Sequence, residues 1–235
     1  MTIDELKNEI VRRSLPSDEA ALEAFHTLTV LLKEWNAKFN LTAVDEPEEV
    51  YEKHILDCLL PLGRIPQAER IVDVGSGAGF PGLVWASVWR DSSFVLLEPT
   101  KKRCTFLSEA SSKMGLHNVE IVSERAEDYV SISRESFDLV TARAVAGLTV
   151  LSELSVPLVK VGGTFAAMKG AKGQEEAEEA RYALTLLGCG APKVIADQLP
   201  SGDQRTLILA KKLHPTPAAY PRPYSRIKQK PLREK

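Results

Sequence analysis

The stretch that most constrains this chain is Arg70 to Gly82, R-I-V-D-V-G-S-G-A-G-F-P-G. Ile71–Val74 is a short apolar run of the kind that forms a buried strand. It breaks into Gly75, Gly77 and Gly79, spaced two apart, and a helical pattern opens near Phe80-Pro81. Glycine lets the backbone turn sharply and come close to a ligand. Proline suits the first turn of a helix, where its missing N–H costs nothing. The start of the helix adds free N–H groups and the positive end of a dipole. Such a strand–turn–helix can cradle a nucleotide-like ligand that carries a carboxylate or phosphate.

Two ligands fit. D-x-G-x-G-x-G from Asp73 to Gly79 suits S-adenosylmethionine. Gly77, Gly79 and Gly82 also satisfy G-x-G-x-x-G, and Glu98 follows within about 20 residues, as a dinucleotide site asks. Asp73 separates the two. An acid at the strand end repels a pyrophosphate and attracts the amino group of a methionine moiety, so S-adenosylmethionine is favoured. A glycine turn with no ligand is the bland reading.

Other classes are excluded more simply. No apolar run is long enough to span a bilayer. The amino-terminal M-T-I-D-E-L-K-N-E-I is charged and amphipathic and has no signal-peptide core, so the cytoplasm is expected. Cys58, Cys104 and Cys189 are scattered, and His26, His54, His117 and His214 add no metal-ligand spacing, so no metal is expected. The net charge of −2 is uneven. From His214 onward six basic residues face Glu234 alone, with five prolines and with Tyr220 and Tyr224 between them. That composition meets phosphate and stacks on unpaired bases; a solubilising end is the alternative.

The first 66 residues read as helical. Ile3, Leu6, Ile10 and Val11 fall at helical spacing, and Ser17 is placed to cap a second helix carrying Leu22, Phe25, Leu28, Leu32 and Trp35. That helix stops in W-N-A-K-F-N-L-T, where Asn36, Asn40 and Thr42 suit capping and turns. Residues 47–62 read as a helix pair in which His54 and Asp57 share a face.

From Arg70 apolar strands alternate with helices: Ile71–Val74, Phe94–Leu97, Val119–Val122, Phe137–Thr141, Gly163–Met168, Lys193–Ala196 and Arg205–Ala210. Alternation predicts a parallel, doubly wound α/β sheet. The last two strands are joined by L-P-S-G-D, too short for a crossover, and are expected to pair antiparallel. The expected organisation is a helical extension over 1–66, an α/β core over 67–213 and a basic tail over 214–235.

Ligands of open α/β sheets lie beyond the carboxyl ends of the strands. That rule nominates Gly75 to Phe80, then Glu98 for the ribose hydroxyls or for a pair with Lys101 or Lys102. It then nominates Arg125–Asp128 for adenine, Arg143 for the methionine carboxylate or an RNA phosphate, and Lys169 and Lys172 for RNA backbone. Residues 174–184 read as a solvated helix face.

Several of these segments together resemble one family, the bacterial small-subunit ribosomal RNA (guanine-N7) methyltransferases, or glucose-inhibited division protein B family. The matches are W-N-A-K-F-N-L-T, H-I-L-D-C-L at His54–Leu59, V-D-V-G-S-G-A-G-F-P-G, L-L-E-P-T-K-K-R at Leu96–Arg103, R-A-E-D, F-D-L-V-T-A-R-A at Phe137–Ala144, M-K-G and the tail Y-P-R…K-P-L. Similar tails often carry a glycine near Ser225 and a proline near Ile227, and both are missing here.

The resemblance implies a class I, Rossmann-like, S-adenosylmethionine-dependent methyltransferase whose mostly parallel seven-stranded sheet ends in an antiparallel hairpin. It implies 16S ribosomal RNA, or a small-subunit assembly intermediate, as partner, and N7 of guanine 527 in standard rRNA numbering as methyl acceptor. It places cofactor contacts at Gly75, Phe80, Ala126, Glu127 and Arg143, with Glu98 at the ribose; Asp73, Gly77 and Gly79 complete the set. Asn40, His54, Arg143 and Lys169 are the substrate-positioning candidates. Guanine N7 carries no proton, so no general base is required, and alignment and exclusion of water are the chemical work. The rivals are a nicotinamide-dependent oxidoreductase and a non-catalytic RNA-binding assembly factor.

Overall fold

In the computed structural model, described here over residues 1–234, seven strands form one sheet in the order β3-β2-β1-β4-β5-β7-β6. The strands are β1 Arg70–Val74, β2 Ser93–Leu97, β3 Val119–Val122, β4 Phe137–Arg143, β5 Val159–Lys169, β6 Lys193–Gln198 and β7 Gln204–Lys211. The first five are mutually parallel. β7 inserts antiparallel between β5 and β6, as the short L-P-S-G-D connection requires. The direction of winding reverses between β1 and β4, so the ligand-binding crevice is expected above those two strands.

The helices are α1 Ile3–Arg12, α2 Glu19–Phe39, α3 Pro47–Val50, α4 Asp57–Leu59, α5 Gly82–Val88, α6 Lys101–Lys113, α7 Ala126–Ser133, α8 Leu148–Ser155, α9 Gly173–Glu179, α10 Arg181–Leu186 and α11 Tyr224–Gln229. They cover the sheet as two layers with separate apolar cores. One core joins Leu6, Phe25, Leu28 and Leu32 of the amino-terminal helices to Trp85 of α5, Phe106 of α6 and Phe94 of the sheet. The other joins Tyr129, Leu151 and Leu184 to Val72, Val140 and Phe165, and takes in Ile227 and Leu232 near the carboxyl end.

Two local expectations are corrected. Asp18, not Ser17, caps α2: its carboxylate accepts from the Ala21 N–H at 2.7 Å, while the Ser17 hydroxyl turns to a carbonyl. Residues 47–63 form a single continuous helical run rather than a pair. It passes from α3 through a π turn, Tyr51–Leu56, into α4 and a short 3-10 turn, Leu60–Gly63. The tail is no loose end. Ile227 is fully buried, and Arg134 donates to the carbonyls of Thr216, Pro217 and Tyr220. Arg222 grips the fully buried Glu153 of α8 through its backbone N–H, Nε and Nη2, at 2.9, 2.8 and 2.6 Å.

Candidate active site

The glycine turn after β1 is built from left-handed backbone. Gly75, Gly77 and Gly79 have φ of 71°, 58° and 88°. Gly82, which opens α5, is constrained differently: an added Cβ would lie 2.2 Å from Leu96 Cδ2 and 2.8 Å from Asp73 Oδ2. Asp73 is fully buried and accepts from the Gly82 N–H at 3.0 Å, while its Oδ1 has no hydrogen-bond partner. Burial pushes its carboxyl up to about 7, against the pull of the Gly82 N–H. Asp73 thus ties the strand end to the start of α5 from beneath, away from the cleft walls.

Above the strand ends runs a cleft of about 270 Å³. Gly75 after β1, Glu98 after β2 and Arg125, Ala126 and Glu127 after β3 line it, with Tyr224 of α11. From β1 to β3 is two strand spacings, about 10 Å, the scale of a nucleoside. Glu98 is buried yet lines the cleft. Its two oxygens accept from the N–H groups of Gly77 and Thr100 at 3.0 and 2.8 Å. The basic side chain nearest it is Arg103, at 3.7 Å, rather than Lys101 or Lys102. Each carboxylate oxygen has a further lone pair to offer.

A second cavity, about 330 Å³, adjoins the first at Ala144, which lines both. Its walls include Asp57, Arg143, Lys169, Glu176 and Arg205. Arg143 is the hub. It donates to Asp57 Oδ2 at 3.0 Å and to the Lys53 carbonyl at 3.1 Å, and lies 5.2 Å from the centre of the Phe80 ring. Its Nη2 also reaches His54 Nδ1 at 3.1 Å. The Lys53 carbonyl lies 3.0 Å from the same nitrogen, so Nδ1 either accepts from Arg143 or donates to that carbonyl, while Nε2 faces the Thr42 hydroxyl, 3.3 Å away. Burial and the neighbouring Arg143 hold His54 down at about 4, so the ring is neutral at physiological pH. It packs on Phe80 at 4.5 Å between ring centres.

The expected His54–Asp57 contact is absent among the described residues. In the wider π turn each side chain meets Arg143 instead, and Asp57 takes a second guanidinium, Arg205, at 3.1 Å. Burial raises the Asp57 carboxyl, and the two arginines oppose that rise.

The expected site residues therefore divide. Gly75, Glu98, Ala126 and Glu127 meet at the first cleft. Arg143 and Lys169 meet at the second cavity. Gly77 contributes its N–H to Glu98, Gly79 packs on Leu83, and Phe80 is buried under His54 and Arg143. Asn40 lines neither cavity; it is the left-handed cap of α2, with φ 49°. Lys169 is no free rim lysine. Its ammonium is held by the Ala146 carbonyl at 2.5 Å and by Glu176 at 2.8 Å. Glu176, expected on a solvated face, also accepts from the Leu148 N–H at 2.8 Å. Arg205 was not foreseen. Only the register of β7 against β5, which sets neighbouring Thr206 opposite Lys169, brings it to the cavity.

Sheet order, glycine turn and cleft define an α/β methyltransferase fold, and solved structures agree. A SAM-dependent methyltransferase from Aquifex aeolicus matches with TM-score 0.51 and 18% identity, over 72% of this chain and 96% of that one. Cofactor-bound Rv0187 from MTB matches with TM-score 0.58 and 19% identity, over 88% and 96%. The chain belongs to the rRNA small subunit methyltransferase G family, whose model matches residues 21–203. A ribosomal RNA small subunit methyltransferase G from Staphylococcus aureus is 38% identical over the full length of both chains. One from Clostridium tetani is 38% identical over 92% of each.

Proposed function

We propose that this chain transfers the methyl group of S-adenosylmethionine to N7 of guanine 527 in 16S ribosomal RNA. The observation that carries the reading is the junction at Ala144, where a nucleoside-sized cleft adjoins a cavity walled by Arg143, Lys169 and Arg205. A methyl group must pass between two bound molecules, and this is the arrangement such a transfer needs.

The residues present fit the cofactor. Glu98 offers unused lone pairs to ribose hydroxyls at the cleft wall. Gly75 leaves room there: a Cβ would fall 2.8 Å from Val145 Cγ2. Ala126 and Glu127 open α7, where N–H groups lack helical partners and can donate to an adenine ring nitrogen. When bound, the cofactor supplies an electrophilic sulfonium methyl. Attack by the guanine N7 lone pair would exchange the S–C bond for an N–C bond, and this chain's part would be to align the two. No proton leaves N7, which agrees with a neutral, arginine-bound His54 that has no proton-transfer task.

Arg143, Arg205 and Lys169 present cationic walls to an RNA phosphate while their carboxylate partners fix their orientation. The test is incubation with methyl-labelled cofactor and 16S RNA, followed by nuclease mapping. Label in 7-methylguanosine at position 527 is expected. Label at another base, or none with any ribosomal RNA or subunit, refutes the reading.

A further inference from the structure

The tail's place on the fold suggests a role that its composition does not. The cleft lined by Ala126 and Glu127 is also lined by Tyr224, some hundred positions later in the chain. Its placement is over-determined. Ile227, one turn further on, is fully buried in the core. Arg222, two positions before, is locked to Glu153. The Arg125 guanidinium lies over the ring at 5.4 Å from its centre, on the loop that leads into α7. An aromatic ring has two faces, and Arg125 occupies one.

We infer that Tyr224 is a cofactor-binding residue, its ring and Arg125 together closing the adenosine end of the cleft. The inference rests on the reading of that cleft as an S-adenosylmethionine site. The methionine end belongs near Gly75 and the ribose near Glu98, so the purine falls beside Ala126 and Glu127, next to Arg125, over which the Tyr224 ring is stacked. A purine gains from aromatic contact whatever its hydrogen bonds, and a ring already fixed by its neighbours loses little freedom on binding. The tail thereby acts in cofactor binding, and not as an RNA-binding arm alone.

Calorimetric titration of the full chain with S-adenosylhomocysteine and, separately, adenosine tests this. Tyr224→Ala is expected to weaken both ligands by roughly 5- to 30-fold. Tyr224→Phe should keep nearly wild-type affinity, because the ring and not the hydroxyl makes the contact. Gln229→Ala, exposed on the same helix, serves as the control for general disturbance of α11. Wild-type affinity in Tyr224→Ala overturns the inference, as does equal loss in Tyr224→Phe and Tyr224→Ala. Failure of the wild-type chain to bind either ligand refutes the reading of the cleft itself, and the inference with it.

Discussion

Replacing Arg222 by alanine tests whether the carboxyl-terminal segment is part of the folded core. Glu153 has no solvent exposure, and three of its acceptor contacts come from Arg222, two of them from the guanidinium. Arg222→Ala leaves the backbone N–H and removes the counter-charge. The buried carboxylate then stands uncompensated, a change that costs about 3–5 kcal/mol. For a chain of this size each kcal/mol moves the melting temperature by roughly 2–4 °C, so a fall on the order of 10 °C is expected.

Urea unfolding of wild type, Arg222→Ala, Glu153→Gln and the double variant gives the coupling directly. The double variant should recover much of the loss, since a neutral amide needs no counter-charge. A solvated tail predicts otherwise: a surface arginine contributes at most about 1 kcal/mol, and salt screens it. A loss below 1 kcal/mol that vanishes in high salt would refute the argument.

His54 and Asp73 give opposed pH dependences. His54 titrates near 4 in the folded chain against 6.5 ordinarily, so between those values the unfolded chain holds more protons and stability rises with pH. Asp73 titrates near 7 against 3.8, so the folded chain holds more protons and stability falls as pH rises from about 4 to 7. At 1.36 kcal/mol per unit each amounts to about 3–4 kcal/mol, and they largely cancel. Asp73→Asn is expected to expose the rise and His54→Asn the fall in urea titrations from pH 4 to 7; parallel profiles would contradict this. Gly82→Ala forces a methyl into Leu96 and the Asp73 carboxylate, so a loss of about 1–3 kcal/mol is expected by calorimetry, and an unchanged melting temperature would show that the contact relaxes freely.

The parts of this protein set by short-range rules could be read in the chain. Strand spacing, the antiparallel closing hairpin and the left-handed glycines follow from period and local chemistry, and all are present. What could not be read depends on contacts between distant segments. The π turn at Tyr51–Leu56 has no distinctive composition, yet it decides that His54 and Asp57 meet Arg143 and not each other. Asp73 was expected to meet a ligand amino group, but its carboxylate secures the helix start. Lys169 read as a rim lysine for RNA and Glu176 as a solvated charge because each was considered without the other. The tail read as a basic appendage because its anchors are one isoleucine, one leucine and a glutamate seventy positions earlier.

Because Tyr224 walls the cleft, the site spans almost the entire order of synthesis. Gly75 and Glu98 emerge early, but the chamber they begin is complete only when residues 222–227 have been made and folded back. A nascent chain still tethered at its end therefore holds an unfinished cleft and a bare Glu153.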